Sequence, residues 1–61
     1  MLSHRIERLL DAYFNRPVDE YIEFISAIKA RGGLSQKEIG ELKQRAFYIH
    51  AETILRHVEL V

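Results

Sequence analysis

The chain is punctuated at only two places, Pro17 and the pair Gly32 and Gly33, and between them its apolar residues recur with a helical period. No stretch alternates apolar and polar residues with the period of two that a half-buried strand requires. The predicted fold is therefore all-α, with helices near 3–15, 17–31 and 35–60 in a single domain over residues 1–61. In the first segment Leu2, Ile6, Leu9, Leu10, Tyr13 and Phe14 make one apolar stripe, and Ser3 suits the N-cap. Asn15 and Arg16 end it, because the residue before a proline is driven out of the α region. Pro17 suits the first position of the second helix, with Asp19 and Glu20 complementing its positive end. Val18, Tyr21, Ile22, Ile25 and Ile28 line its core face with Phe24 at the edge, and Gly32 suits a left-handed C-cap.

The third segment opens on Leu34-Ser35-Gln36-Lys37-Glu38-Ile39. Ser35 and Glu38 have capping-box spacing, and Leu34 with Ile39 has that of a hydrophobic staple. The stretch LSQKEIGEL resembles the first helix of the helix-turn-helix in small phage-type repressors. In that family a glycine-containing turn follows before the recognition helix. Here Gln44, Arg45 and Ala46 stand at that point, and no Gly, Pro, Asn or Asp occurs between Lys43 and Val61. The expectation is one uninterrupted helix and no sequence-specific DNA reading.

Such a helix would be ~39 Å long, against ~20 Å for each of the first two. Those two could fold back as a hairpin or lie end to end along the third, bent at Pro17. The C-terminal half of the long helix is apolar around more than half of its circumference, more than one short neighbour can cover. With 61 residues and no cysteine, neither a large core nor a disulfide is available as a staple. Self-association into a homodimer or higher oligomer is therefore expected. Its interface would comprise Phe47, His50, Ala51, Ile54, Leu55, His57, Val58 and Val61.

Nine basic and nine acidic residues balance, so composition points neither to a polyanion partner nor to an acidic mimic. No apolar run approaches the ~20 residues of a membrane span, the N-terminal residues lack signal-peptide character, and the expected location is cytoplasmic. His50 and His57 each sit in an H-x-E motif, but seven residues separate them by ~10.5 Å along a helix, too far to share one metal. They are expected at the edge of the apolar stripe, packing and hydrogen-bonding, with a pH-sensitive interface as the alternative. Ser3, Ser26, Ser35 and Thr53 are the only hydroxyls outside tyrosine, and the first and third serines suit caps. No phosphate loop, metal site or cofactor is expected, and the chain is not expected to be an enzyme.

Arg5, Arg8 and Arg16 share a flank of the first helix and form the candidate partner-binding patch, guanidinium being suited to carboxylates and phosphates. LLDAYF (9–14) and YIEFISAIKAR (21–31) are similar to the sporulation checkpoint family, helical hairpins that inhibit a sensor histidine kinase. The chain's general style also resembles short accessory proteins of bacteria and their phages, and the two resemblances together imply a small bacterial or phage regulator or inhibitor that binds a larger protein. The leading expectation is thus a non-enzymatic protein-interaction module. The alternatives are a nucleic-acid-associated protein using the first-helix arginines, with nucleic acid disfavoured as partner, and a structural subunit of a larger assembly.

Overall fold

The structure, a computed structural model, describes residues 3–59. It contains α1 (His4–Asn15), α2 (Val18–Ala30), α3 (Gln36–Arg45) and α4 (Tyr48–Glu59), with no strand among the described residues. Each local stop signal has a visible physical cause. The Ser3 hydroxyl accepts from the Ile6 amide at 3.2 Å and caps α1. Pro17 stands just outside α2 as its N-cap, one position earlier than expected, and its carbonyl accepts from Glu20 and Tyr21. At the other end of α2 the Gly33 amide reaches the Ile28 carbonyl at 2.9 Å and Gly32 reaches Lys29 at 3.0 Å. This is a Schellman closure, and it needs the left-handed φ of 98° and 91° that the two glycines adopt. The capping box forms as expected, Ser35 and Glu38 each accepting from the other's amide.

The long third helix does not form. It breaks after Arg45, where Ala46 turns extended at φ −104° and ψ 151°, and a second helix starts at Tyr48. No breaker residue stands there, so local propensity is overridden by packing. A straight helix over 36–59 would run ~36 Å, whereas the protein's greatest extent is 25 Å. Unbroken, it would carry Ala51, Ile54 and Val58 past the end of the other helices. Broken, it folds α4 back so that all three are buried. That burial is worth ~1.5–3 kcal/mol for each large aliphatic side chain. The break costs few hydrogen bonds, because the Ala46 amide still finds Leu42 and the Phe47 carbonyl still caps the first turn of α4 through Ala51.

Of the two geometries open to the first helices, the hairpin is the one adopted: α1 packs on α2, α4 on α2 and α3, and α3 on α1. Ile6, Leu9, Ile28, Leu42 and Ile54 are fully buried, and the buried residues of all four helices form one cluster. Three residues assigned to apolar faces point outward instead: Phe14, Val18 and Ile22 are 52%, 65% and 54% exposed.

Candidate interaction face

Two tyrosines from the hairpin meet two histidines of α4. The Tyr13 hydroxyl lies 3.0 Å from Nδ1 of His50, and the Tyr21 hydroxyl lies 2.7 Å from Nδ1 of His57. The Tyr13 and Tyr21 rings touch edge to face at 5.4 Å between centroids, so the four side chains form one continuous row. The spacing explains the row. His50 and His57 lie two turns apart on one flank of α4, and Tyr13 and Tyr21, on either side of the Pro17 break, each meet one of them. Each imidazole is half-buried and its Nδ1 has a partner, so neither histidine is an orphaned polar group. Burial, aided by the neighbouring Tyr13 phenol, pushes the Tyr21 hydroxyl up to about 12.

Exposed apolar side chains surround this row. Phe14 and Phe47 both lie against His50, at 5.2 and 6.4 Å between ring centroids, and Phe47 is 80% exposed. On the far side Val18, Ile22 and Ile25 join Tyr21 and His57 around an open groove of about 380 Å³. Tyr48 and Ile49, in the first turn of α4, are also exposed, Tyr48 lying in a separate groove with Lys43, Glu52, Arg56 and Glu59. A face of this composition, two phenylalanines and two aliphatic residues around hydrogen-bonded aromatics, is what a protein contact core is made of.

The eight residues expected at an oligomer interface are therefore divided. Ala51, Ile54 and Val58 lie inside the protomer's own core, and Leu55 packs against that core half-buried. Phe47, His50 and His57 belong to the face just described, and Val61 lies outside the described residues. The surplus apolar surface inferred from an unbroken helix is largely absorbed by the break, and what remains exposed sits elsewhere.

The arginines are likewise divided. Arg5 grips Glu38 with two bonds, Nε to Oε2 at 2.8 Å and Nη2 to Oε1 at 2.6 Å, and Nη2 also donates to the Gly33 carbonyl at 3.1 Å. Held by Arg5 and by the Ser35 amide, the Glu38 carboxyl titrates near 2, and Arg5 is raised in turn. Arg16 pairs with Asp11 at 3.1 Å and lies 4.0 Å from Glu20. Asn15 and Arg16 together hold the Asp11 carboxyl below its usual range. Arg8 instead stacks over the Phe24 ring at 5.4 Å and makes no ion pair among the described residues.

Among the described residues no three histidines, aspartates or glutamates converge as a metal site would require. No helix is long and apolar enough to cross a membrane. No protein-family model matches the chain, and no curated protein and no solved structure matches it significantly. The likenesses to repressors and to sporulation checkpoint proteins thus rest on the residues quoted for them. The Tyr–His row was not foreseen from sequence; the one trace of it there is the paired spacing of two tyrosines and two histidines.

Proposed function

We propose that this chain is a small, non-enzymatic protein-interaction module, a regulator or inhibitor that acts by docking through the face built on Phe14, Val18, Ile22 and Phe47. The observation that carries the reading is the exposure of these large apolar side chains around an ordered, hydrogen-bonded row rather than in scattered positions. Self-association is compatible with the charge balance: the chain as a whole is neutral, so two copies approach without net repulsion, and Lys29 is the one charged residue lining the groove on this face. A larger protein of bacterial or phage origin is the second partner that the reading admits.

The helix break reopens the comparison with repressors, because α3 and α4 are now two helices joined by a short turn. The charge on the outward side of α4 favours the protein-contact reading nonetheless. A recognition helix meets base edges with its N-terminal residues, and phosphates need cations beside it. Here the N-terminal residues are Tyr48 and Ile49, and the exposed charges further along are Glu52, Arg56 and Glu59.

Sedimentation of the wild type at tens to hundreds of micromolar should give a dimer or higher oligomer. Ile22→Asp with Phe47→Asp should stay helical and weaken assembly by at least about 2 kcal/mol, roughly thirtyfold. A wild type that is monomeric throughout, and whose captured partners are unchanged in the double variant, would overturn the assignment of this face.

A further inference from the structure

On the other flank of α2 lies a second groove with different chemistry, about 430 Å³, between the first turns of α1 and the last turns of α2. Its floor is Phe24, Ala27 and Ile28, and its walls are Arg5, Arg8 and Arg31, with His4 at the mouth. No carboxylate lines it. Arg31 is 23 positions from Arg8 in the chain, and the hairpin places both on one groove. Arg16, by contrast, falls in the adjoining groove among Asp11, Glu20 and Glu23.

We infer that this groove binds a short acidic segment of another protein, one apolar side chain seated on Phe24, Ala27 and Ile28 with flanking carboxylates on Arg8 and Arg31. Four features of the groove select that ligand. Arg8 and Arg31 are exposed and make no ion pair among the described residues, so their forks are open to planar, bidentate partners. Arg8 is already oriented by stacking on Phe24, and Arg5 is fixed by Glu38 with its Nη1 in no recorded hydrogen bond, so little side-chain freedom is lost on binding. The apolar floor rewards a hydrophobic side chain between the acids, which a phosphate backbone does not offer. The positive stretch is also short. Arg8, Phe24 and Ala27 also border the adjoining groove, where Asp11, Glu20 and Glu23 repel any anionic ligand long enough to continue past Arg8, which favours a short acidic segment over a polyanion.

The test is a titration of the isotopically labelled full chain, followed by amide and arginine side-chain chemical shifts. The probe is an acetylated hexapeptide of one phenylalanine and one leucine flanked on both sides by glutamate pairs. Saturable shifts confined to residues 4–8 and 24–31 are expected, with affinity falling as salt rises. Arg8→Gln with Arg31→Gln removes two surface charges and the Arg8 stacking on Phe24 but no ion pair among the described residues; it should keep the fold and weaken binding at least about tenfold. Ile22→Asp, on the interaction face, should leave peptide binding unchanged, so failure of that face and failure of this groove are told apart. The inference is overturned by any of three results: no saturable shift, equal binding of the peptide with glutamines in place of glutamates, or tighter binding of a random DNA duplex to the same groove at physiological salt.

Discussion

The two halves of the chain are joined along two seams of opposite chemistry. At one, α3 is tied to the start of α1 by charge: Arg5 grips Glu38 and the Gly33 carbonyl, and the Ser3 amide donates to Glu41 at 2.8 Å. At the other, α4 is tied to the hairpin by aromatic rings and two tyrosine–histidine hydrogen bonds. In the charged seam one carboxylate has two roles, since Glu38 closes the capping box of α3 and also receives Arg5. A helix start and a tertiary contact are thereby made mutually dependent. The aromatic seam has no such local anchor: Phe47 precedes α4 and offers no side-chain acceptor to cap it, so the position of α4 rests on packing and the two tyrosine–histidine hydrogen bonds.

The contrast is broken most severely by removing what both seams depend on. Ile54 is fully buried, on the helix that the aromatic seam holds and within the cluster that includes Leu42 of the charged side. Ile54→Ala should cost ~2–5 kcal/mol, a large share of the stability of a 61-residue chain. Phe47→Ala, on the same side of the helix break but 80% exposed, should change monomer stability by less than ~0.5 kcal/mol. Urea denaturation followed by circular dichroism compares the two. Equal losses would mean that Phe47 is part of the fold rather than of a contact surface.

The charged seam is tested next by acid. The folded Glu38 carboxyl titrates near 2, against an ordinary value of 4.5, because Arg5 hydrogen-bonds its ionised form. A depressed folded value means stabilisation that is complete above the unfolded value and lost as the pH falls from about 5 towards 2. The pair is shallow, with side-chain exposures of 31% for Arg5 and 13% for Glu38, so solvent screening reduces its worth to about 1–2 kcal/mol. Glu38→Gln should lose that amount at neutral pH and show a flatter stability profile below pH 5, whereas Tyr13→Phe should keep the wild-type acid profile. An unchanged acid profile in Glu38→Gln would place the acid sensitivity elsewhere.

The same contrast separates what could be read from the sequence from what could not. Caps and stops are local: Ser3, Ser35 with Glu38, and Gly32 act over a few residues, and each is found in its expected role, with Gly33 joining Gly32 in the left-handed region. The helix break at Ala46 is not local. Its residues favour helix, and only the gain from burying Ala51, Ile54 and Val58 against the hairpin explains it. The expected interface misplaced those three residues for that reason, since a straight helix leaves them without cover and a broken one does not. Pairings across the chain were equally out of reach: nothing near Arg5 announces Glu38, and nothing near Arg8 announces Arg31.

The smallest effects are expected along the aromatic seam, and they sharpen the comparison by their lower sensitivity to salt. Tyr13→Phe and Tyr21→Phe each delete one hydroxyl and keep the ring packing, at a cost of ~0.5–1.5 kcal/mol. Tyr21→Phe should be the costlier, because its bond to His57 is shorter, 2.7 against 3.0 Å, and Tyr21 is the more buried ring. Half-buried imidazoles admit water to the vacated Nδ1, which keeps both losses modest. The Tyr21 phenol titrates near 12 in the fold against an ordinary 10.0, the neutral form being favoured by burial. Its contribution is therefore complete below pH 10 and lost as the pH rises towards 12, a decline that Tyr21→Phe should reduce. Raising salt from low to physiological levels should narrow the stability gap between wild type and Glu38→Gln, because screening weakens an ion pair near the surface. The gap between wild type and either tyrosine variant should move less, since the deleted group is an uncharged phenol hydroxyl and not one member of a carboxylate–guanidinium pair. A tyrosine gap that shrinks with salt as much as the Glu38→Gln gap would make the aromatic seam electrostatic as well and remove the contrast between the two.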